Sequence, residues 1–600
     1  MAEDKSTGGS QVSKQSARRA AWALYMIVFT GGAVLMGIEI AGSRILAPSF
    51  GTGIFVWGAL IGLFMGAMAA GYWVGGRLAD RYPSFPVLAT VVSLAGVYTF
   101  LMIPYLGPYA CEEIARSVTH PMWGPLIAAF LLFFVPSFLL AMVSPYAVKL
   151  NTTTLSGVGG VAGSLYALST FGSIVGTLAT TFFLVPMFFV SNVLLGLGLL
   201  LVVIAILTLV LFRSAVGSVS RDDRNGAALM AIVALALAEI WALFPAQPRV
   251  AEHERVLYYE ESQYHDIAVT ERVSGYVPRD YTPVGEQYLL SPFEVSRWLK
   301  FNENRESGIY PYRAYENAVR YTNVIHLALL WAPEPKRMLV VGGGGGVVPV
   351  QFHLFYPSLE KIDVLELDPS VERAANKYFQ MERFTAAKGG PIEFHIGDAR
   401  MNLKKLKDQY DIILLDAYSS GGQIPYHLLT YEFLRDVTGH LTKEGVLVTN
   451  IIAAVENEST TDIRAADLFF AEYKTLTGSP SDGSAPLYTR DQIYVFPRTD
   501  IGVELRGRES ENRNIIVFAT RDQRRKTQND LISLAKAFSQ TRKPENFIHP
   551  KVFLWHAENV YRDGPTQDQL ADIPVLEDDF APVDTMYRPV KRDEAVWRLR

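Results

Sequence analysis

Apolar residues dominate the first part of the chain and are interspersed with charges in the second. Between residues 22 and 245 the sequence is almost continuously apolar. Crossing a bilayer core of about 30 Å takes roughly 20 apolar residues in a helix. Stretches of that kind lie near 22–46, 54–76, 86–106, 122–147, 158–185, 188–212 and 227–245, with Pro186 marking one break. We therefore predict a multi-pass α-helical membrane domain of about seven spans over residues 22–245.

Short alternating segments with aromatic residues follow in residues 246–330. Ile267–Thr270 and Gln287–Leu290 have the alternation that is typical of strands. The pattern predicts a small β-rich subdomain over 246–330, which leads into a helix near 316–331.

Strand-like and helix-like segments then alternate regularly through residues 331–600. The strand-like segments are Arg337–Val341, Ile362–Leu367, Ile392–Ile396, Asp411–Asp416 and Gly445–Asn450. Such alternation is typical of a doubly wound parallel sheet with helices on both faces. We predict a Rossmann-like α/β domain over 331–600.

Charge and cysteine content restrict the function. The net charge of −5 and the pI near 6.1 argue against a dedicated nucleic-acid-binding protein, which would usually be basic. Cys111 is the one cysteine of the chain, which rules out an internal disulfide and a multi-cysteine zinc site. No other cluster of metal-ligand type is evident. Residues 1–21 are polar and predict a disordered tail.

Basic residues indicate how the spans would be oriented in a cell (inner) membrane. One set of loops, with the N-terminal tail, contains Lys5, Lys14, Arg18, Arg19, Arg77, Arg81, Lys149, Arg213, Arg221 and Arg224, whereas the other short loops contain only Arg116. Because cytoplasmic loops carry the excess of Lys and Arg, we expect a cytoplasmic N-terminus. Seven spans would place the second domain outside the cytoplasm. It would be cytoplasmic if 227–245, which contains Glu239, lies in the membrane interface.

Candidate ligand-binding residues follow the first three strands of the α/β domain. The loop after the first strand contains Gly342, Gly343, Gly344 and Gly346. Glycines allow the backbone to approach a ligand closely. Glu366, about 20 residues later, could accept hydrogen bonds from ribose hydroxyls, and Asp398 could accept one from an adenine amino group. The three features in this order predict a nucleoside site, with NAD binding as the alternative.

Several segments between Glu261 and Asn450 resemble the spermidine synthase (aminopropyltransferase) family. The similar segments are Glu261–Val269, Tyr321, Val341–Gly346, Leu365–Asp368, Gly397–Ala399 and Tyr410–Asp416. The whole chain is similar in architecture to bacterial membrane proteins described as fused transporter/spermidine synthase. The resemblance implies a fold of the S-adenosylmethionine-dependent transferase type.

The family resemblance also implies a reaction of polyamine biosynthesis. Its members transfer an aminopropyl group from decarboxylated S-adenosylmethionine to putrescine. By position, Asp416 would be the general base that takes a proton from the amine. Tyr264, His265, Tyr321 and Tyr418 would lie on the substrate side. The implied partners are a small-molecule amine and the lipid bilayer. Decarboxylated S-adenosylmethionine or S-adenosylmethionine would be the cosubstrate. No cofactor would be permanently bound.

Departures from the family pattern concentrate at the amine end. Gly345 and Ser419 stand where the family has aspartates, His265 replaces a glutamine, and Thr322–Asn323 replaces His-Glu or Gln-Glu. Each lost charge-assisted hydrogen bond costs about 1.5–3 kcal/mol. An aminopropyltransferase with an altered acceptor is therefore the favoured hypothesis. A methyltransferase and a catalytically altered or inactive nucleoside-fold module, which serves as sensor or assembly subunit of a membrane complex, stay open. A homo-oligomer or a membrane-complex partner stays open as well.

Overall fold

A computed structural model describes residues 6–50, 53–118, 122–152, 157–188, 190–216, 254–262, 264, 266–275, 293–301, 304–311, 316–418, 424–457, 465–497, 511–522, 524–541, 550–560 and 564–586. The chain forms two compact units, Met1–Gln247 and Pro248–Arg600. Each unit has its own buried apolar core, and each is described here by itself.

The first unit consists of helices joined by short connections within its described residues. Its helices are α1 (Ser6–Phe50), α2 (Ile54–Arg81), α3 (Phe85–Ser117), α4 (Trp123–Ala141), α5 (Val143–Asn151), α6 (Val158–Ala179), α7 (Val185–Met187) and α8 (Val190–Val216), with a π-helical turn at Thr180–Leu184 between α6 and α7. The helix α1 begins at Ser6, although the sequence predicts a disordered tail over 1–21. No proline interrupts residues 6–21, so the helix nucleated by the apolar segment propagates through them.

Six of these helical segments are long and apolar enough to cross a bilayer. They are Ala21–Ala47, Ile54–Arg81, Phe85–Ala115, Trp123–Asn151, Val158–Leu184 and Val190–Leu209. These segments coincide with the first six predicted spans, and the chain leaves the helix at Phe188, two residues after the proline that marks the predicted break. The seventh predicted span, 227–245, lies outside the described residues.

Glycines bring helix backbones into direct contact in this unit. A Cβ at Gly172 would overlap with the carbonyl oxygen of Phe29, and one at Gly176 would overlap with that of Ala33. Helix α6 therefore packs its backbone directly on α1, as small residues permit in helical membrane bundles. By contrast, a Cβ at Gly163 in the same helix would meet nothing within 4 Å.

The second unit begins with a four-stranded antiparallel sheet. Its strands, in spatial order, are β1 (Glu254–Glu261), β2 (Asp266–Gly275), β3 (Phe293–Phe301) and β4 (Asn304–Ile309). The predicted strand Ile267–Thr270 is confirmed as part of β2, and the predicted strand Gln287–Leu290 lies outside the described residues. Ile267, Val269 and Leu299 are buried on one face of this sheet.

A seven-stranded sheet follows, with the strand order β10-β11-β9-β8-β5-β6-β7. Its strands are β5 (Arg337–Val341), β6 (Lys361–Glu366), β7 (Ile392–Ile396), β8 (Tyr410–Leu415), β9 (Leu441–Ala453), β10 (Ile493–Phe496) and β11 (Arg513–Thr520). The strands β5 to β9 are mutually parallel, whereas β11 pairs antiparallel with β9 and β10 with β11. The predicted Rossmann-like fold is confirmed, with two antiparallel strands at one edge.

Helices and buried side chains cover both faces of this sheet. The helices are α9 (Thr322–Ile325), α10 (Val347–Phe355), α11 (Pro369–Tyr378), α12 (Ala399–Leu403), α13 (Tyr431–Gly439), α14 (Asp467–Thr477), α15 (Gln528–Thr541), α16 (Pro550–Glu558), α17 (Gln567–Leu570) and α18 (Val583–Met586). Side chains alternate along a strand, so Leu339 and Val341 of β5 enter one core while Met338 and Val340 enter the other.

The helix predicted near 316–331 is shorter than expected. It comprises α9 and a 3₁₀ segment, His326–Leu330. The Asn317 side chain accepts a hydrogen bond from the Val319 amide at 2.8 Å. Such a local bond offers the backbone an alternative to the helix, and Asn317 also bridges to Ile309 of β4. Residues before Tyr321 therefore follow the small sheet instead of the helix.

Candidate functional site

The candidate site lies at the carboxyl ends of the parallel strands, beside the first strand of the large sheet. The strand β5 pairs with β6 on one side and with β8 on the other. The chain winds in opposite directions from this strand, and ligands of doubly wound sheets bind in the crevice at such a point. The end of β6 and the loops after β5, β7 and β8 carry the predicted nucleoside residues, Asp416 and Tyr418.

Two glycines of the loop after β5 occupy positions that no other residue could take without strain. Gly342 has φ +98° and Gly346 has φ +69°. A Cβ at Gly342 would overlap with the carbonyl oxygen of Asp416, and a Cβ at Gly346 would overlap with the Met381 sulfur. The loop thus passes close to the end of β8 before α10 begins at Val347.

Glu366 holds the centre of this glycine loop. Its Oε2 accepts hydrogen bonds from the Gly343 amide at 2.9 Å and the Gly344 amide at 3.3 Å, and its Oε1 accepts one from the Asp368 amide at 3.0 Å. The side chain is buried, which raises the pKa of this carboxyl to about 7 in spite of the three amide donors. Glu366 and the glycines are therefore brought together, as the sequence predicts.

Asp398 is adjacent to this group through the backbone. The Gly397 amide donates to the Glu366 carbonyl oxygen at 2.9 Å. The Asp398 carboxylate caps α12 by accepting from the Met401 amide at 2.9 Å, and its second oxygen lies 3.1 Å from His427 Nε2. The Asp398 side chain, which the sequence predicts to contact adenine, is thus oriented by the Met401 amide and by His427.

Asp416, the predicted base, follows β8 and is held by two donors. The Tyr321 hydroxyl donates to its Oδ2 at 2.9 Å, and the Asn450 amide donates to its Oδ1 at 2.8 Å. Burial raises the pKa of Asp416, and these two hydrogen bonds partly offset that rise. A buried carboxyl whose pKa is raised in this way is suited to exchanging a proton with a bound group.

The other predicted substrate residues have different surroundings. Tyr418 donates its hydroxyl to the Asn450 carbonyl oxygen at 2.7 Å, so it supports the strand that holds Asp416. Tyr264 is linked to the end of β6 through its backbone: its amide donates to the Ser262 hydroxyl at 3.0 Å, and that hydroxyl donates to the Asp368 carboxylate. His265 lies outside the described residues.

The positions that depart from the family pattern include two with structural contacts. The Gly345 amide donates to the Ser307 hydroxyl at 2.9 Å, which joins the glycine loop to β4. The Thr322 hydroxyl donates to the Val319 carbonyl oxygen at 2.7 Å and accepts from Asn317 at 2.6 Å. Ser419 and His265, two others of these positions, lie outside the described residues.

Two further carboxyl groups near the site escape sequence reasoning. Glu306 of β4 interacts electrostatically with Asp416, Tyr321 and Tyr418. Glu472 of α14 is buried, interacts with Tyr418, and has one carboxylate oxygen without a hydrogen bond among the described residues. Burial raises the pKa of Glu472 to about 7. Their positions depend on which strands and helices become neighbours, which local patterns do not reveal.

A separate group of potential metal ligands lies on β6 and β7. Asp363, Glu393 and His395 place ligand atoms within 4.8 Å of one another. The Lys361 ammonium lies 3.1 Å from Asp363 and 3.4 Å from Glu393, and His395 contacts Asp363 at 2.6 Å. A lysine therefore supplies the positive charge at this position.

Comparison with known proteins agrees with the geometry. Residues 319–466 match the family described as the spermine/spermidine synthase domain. A polyamine aminopropyltransferase of Vibrio vulnificus is 33% identical over 198 residues, which are 32% of this chain and 58% of the relative. One of Clostridium tetani is 24% identical over 228 residues, 36% of this chain and 79% of the relative. The chain thus spans little more than half the length of the Vibrio protein.

Among solved structures, spermidine synthase from Thermotoga maritima is similar with a TM-score of 0.33 and 18% identity, over 53% of this chain and 88% of that protein. The resemblance inferred from the motifs is confirmed by the family match, which covers the loops after β5 to β8. Residues 319–466 of the second unit are therefore similar to the spermine/spermidine synthase domain.

Proposed function

We propose that the chain is a membrane-anchored aminopropyltransferase, which uses decarboxylated S-adenosylmethionine as donor and an amine as acceptor. One observation carries the proposal: Asp416, held by Tyr321 and Asn450, lies beside the glycine loop that Glu366 fixes. This arrangement combines a nucleoside cradle with a carboxylate base. The family match and the aminopropyltransferase relatives support the same reaction.

The cradle suits the nucleoside end of the donor. Backbone at Gly342 and Gly344 approaches the crevice without side chains, and both residues have positive φ angles. The Glu366 carboxylate accepts hydrogen bonds from the Gly343 and Gly344 amides of this loop. Its Oε1 accepts only the Asp368 amide among the described residues, so the second lone pair of this oxygen can accept a hydrogen bond from a ribose hydroxyl.

The chemical step would be a displacement at carbon. The acceptor nitrogen attacks the aminopropyl carbon next to the sulfonium, a C–N bond forms, and the C–S bond breaks. The sulfur takes the bonding electron pair and leaves as neutral methylthioadenosine. The Asp416 carboxylate receives the proton that the nitrogen loses, and a positioned base of this kind contributes about 10²–10⁴-fold to a rate.

The altered amine end indicates that the acceptor is bound in a way particular to this chain. The Gly345 amide donates to the Ser307 hydroxyl, and the Thr322 hydroxyl donates to the Val319 carbonyl oxygen. Neither residue has a charged side chain that could bind an ammonium group. Asp416 remains as the carboxylate for the reacting amine. An altered acceptor explains the loss of the other acidic positions without loss of the nucleoside cradle.

Calorimetric titration of the detergent-purified full chain tests the proposal. The ligands are decarboxylated S-adenosylmethionine, S-adenosylmethionine and methylthioadenosine. We expect the decarboxylated donor to bind more tightly than S-adenosylmethionine, and its incubation with diamines to yield methylthioadenosine. Preference for S-adenosylmethionine would favour a methyltransferase. Tight nucleoside binding without turnover would favour a sensor or assembly module, and the absence of any binding would refute the proposal.

The helical unit would anchor the enzyme in the bilayer. Six helices of sufficient length and apolarity support this part of the proposal. With a cytoplasmic N-terminus, the side of the synthase domain depends on whether residues 227–245 also cross.

A single introduced cysteine can determine that side, because Cys111, the one natural cysteine, is buried. Lys443 is exposed on the synthase domain, so Lys443→Cys presents one reactive thiol. A membrane-impermeant maleimide should label it in intact spheroplasts if the domain is extracytoplasmic, and only after lysis if it is cytoplasmic. The unmodified chain is the control, and its labelling in the native state would show that Cys111 interferes.

A further inference from the structure

A turn near the end of the α/β domain holds a carboxylate in a fixed position. Glu577 and Phe580 exchange two backbone hydrogen bonds of 3.0 Å, which close a four-residue turn that contains Asp578. Leu576 before the turn and Val583 after it are buried in one core of the domain. The turn is therefore anchored on both flanks, and the core determines where Asp578 lies.

Asp578 forms a bidentate ion pair with Arg400 of α12. The Arg400 Nη1 donates to one carboxylate oxygen at 2.6 Å, and its Nη2 donates to the other at 2.5 Å. The guanidinium holds the pKa of Asp578 below its ordinary value, so this carboxylate is ionised at neutral pH. Two parallel hydrogen bonds fix the orientation of the guanidinium as well as its distance.

The same residue is joined to the segment 426–432, which leads into α13. The hydroxyl of the buried Thr430 donates to the Asp578 carboxylate at 2.7 Å. The Asp578 backbone amide donates to the Glu432 carboxylate at 3.1 Å. Asp578 therefore connects three parts of the chain, which are α12, the segment 426–432 and its own turn.

The two segments that Asp578 joins supply both groups that orient Asp398. The Met401 amide, which donates to one Asp398 oxygen at 2.9 Å, directly follows Arg400 in α12. The His427 Nε2 lies 3.1 Å from the other oxygen. Arg400 also donates to the His427 carbonyl oxygen, at 3.5 Å. A displacement of either segment would therefore change the direction of the Asp398 carboxylate.

We propose that Asp578 is a positioning residue for base recognition: through Arg400 it aligns Asp398, so that this carboxylate accepts a hydrogen bond from the amino group of adenine. The inference rests on the proposed function and concerns its nucleoside end. Asp578 lies outside residues 319–466, so this support comes from beyond the family match. The effect should fall on the base alone, because Glu366, the proposed ribose residue, is held by the glycine loop.

Calorimetric titration of the detergent-purified full chain with methylthioadenosine and methylthioinosine tests the inference. The two ligands share the ribose and the thioether, but methylthioinosine has a carbonyl oxygen where adenine has its amino group. Since a carboxylate that reads the amino group then loses its donor, we expect the wild type to bind methylthioadenosine more tightly by about tenfold or more. Asp398→Asn should lose this preference and gives the size of the full effect.

Asp578→Asn should lower the ratio of the two affinities by about fivefold or more, because a neutral amide holds the guanidinium less firmly. Its affinity for methylthioinosine should change by less than about threefold. Asp579→Asn, at the exposed aspartate next in the chain, is the matched control and should behave as wild type.

A second variant keeps the test decisive if Asp578→Asn does not fold. Arg400→Lys retains the positive charge but lacks the planar fork that bonds both carboxylate oxygens, so it should also lower the ratio. If Asp578 acts through Arg400, the double variant should lower the ratio no further than either single change, whereas independent effects would multiply. Multiplied effects would overturn the assignment. Folded variants that keep the wild-type ratio, or that weaken both nucleosides equally, would overturn it as well.

The wild-type titration distinguishes this inference from the proposed function. Equal affinity for the two nucleosides would overturn base recognition by Asp398, and with it the role of Asp578, but would leave a nucleoside site in place. Failure to bind either nucleoside would refute the proposed function, and the role of Asp578 would fall with it.

Discussion

The two ends of the candidate site are built by different means. At the nucleoside end, backbone geometry dominates: Gly342 and Gly346 have positive φ angles, and Glu366 is fixed by backbone amides. At the amine end, side chains dominate, since Tyr321 and Asn450 hold Asp416. Backbone geometry tolerates almost no substitution, whereas a side-chain constellation can be altered one residue at a time. The difference explains how the proposed nucleoside cradle can be kept while the proposed acceptor side departs from the spermidine synthase pattern.

Replacing the proposed base should give the largest effect and leave the nucleoside end intact. In Asp416→Asn the amide cannot take up a proton, so we expect kcat to fall by about 10²–10⁴-fold. Methylthioadenosine affinity should change by less than about threefold. Steady-state kinetics and calorimetry measure the two quantities. Asp568→Asn, at an exposed aspartate, is the control, and an equal loss of nucleoside affinity would contradict the separation of the two ends.

Adding a methyl group at Gly342 should distort the backbone of the glycine loop, which forms the proposed nucleoside end. Gly342→Ala combines a positive φ with an overlap against the Asp416 carbonyl, and we expect a loss of about 3 kcal/mol of unfolding free energy. Gly389→Ala is the matched control, since φ is +80° and a Cβ there meets nothing within 4 Å. It should cost about 1–2 kcal/mol. Denaturant unfolding that gave both variants the same loss would argue against the close approach.

Removing the charge of Glu366 should weaken nucleoside binding. Glu366→Gln should lose about 1.5–3 kcal/mol of methylthioadenosine binding, which is about 10–100-fold in Kd. In the wild type, affinity should rise with pH through about 7, because ribose hydroxyls donate best to the ionised carboxylate. The variant should lack this dependence. Calorimetry at several pH values measures it, and a pH dependence that survives in the variant would assign it to another group.

The same carboxyl makes a prediction for stability. Its pKa in the folded protein, about 7, lies above the ordinary 4.5, so the folded state holds the proton more tightly than the unfolded chain. Its contribution to stability therefore falls as pH rises from about 4.5 to about 7. Glu366→Gln should reduce the fall of the unfolding free energy over this range, provided that the variant keeps its wild-type structure at low pH.

Removing a single hydroxyl at the amine end should have the smallest effect. Tyr321→Phe deletes one donor to Asp416 and should cost about 1 kcal/mol, or about fivefold in kcat/KM. Because that hydrogen bond lowers the pKa of Asp416, the acidic limb of the pH–rate profile should move to higher pH. Tyr426→Phe, at an exposed tyrosine, is the control. An unshifted profile would show that the hydroxyl does not tune the base.

Sequence reasoning succeeded where a residue's position follows from one strand. Glu366 and Asp416 lie at or directly after the ends of β6 and β8, so recognising the strands was enough to place them at the same edge of the sheet. The six described apolar helices were predictable for a similar reason, since each depends on a local run of apolar residues.

Sequence reasoning failed where a position depends on how elements pair. Glu306, which interacts with Asp416, lies at a bulge between β3 and β4, and no alternation of residue types marks that bulge. The start of the helix at Thr322 was also missed, because a side-chain bond from Asn317 directs the preceding residues elsewhere. The hydroxyl of Tyr418 supports the backbone at Asn450, a contact that requires knowledge of the neighbouring strand.

The backbone contact between α6 and α1 has a consequence for evolution. At Gly172 and Gly176 any side chain would displace a neighbouring helix, so selection should hold both positions at glycine among relatives that share the helical unit. At Gly159, Gly160 and Gly163 a methyl group would meet nothing within 4 Å, and alanine should substitute freely there. A single helix thus carries one stretch in which the packing requires glycine and another in which alanine also fits.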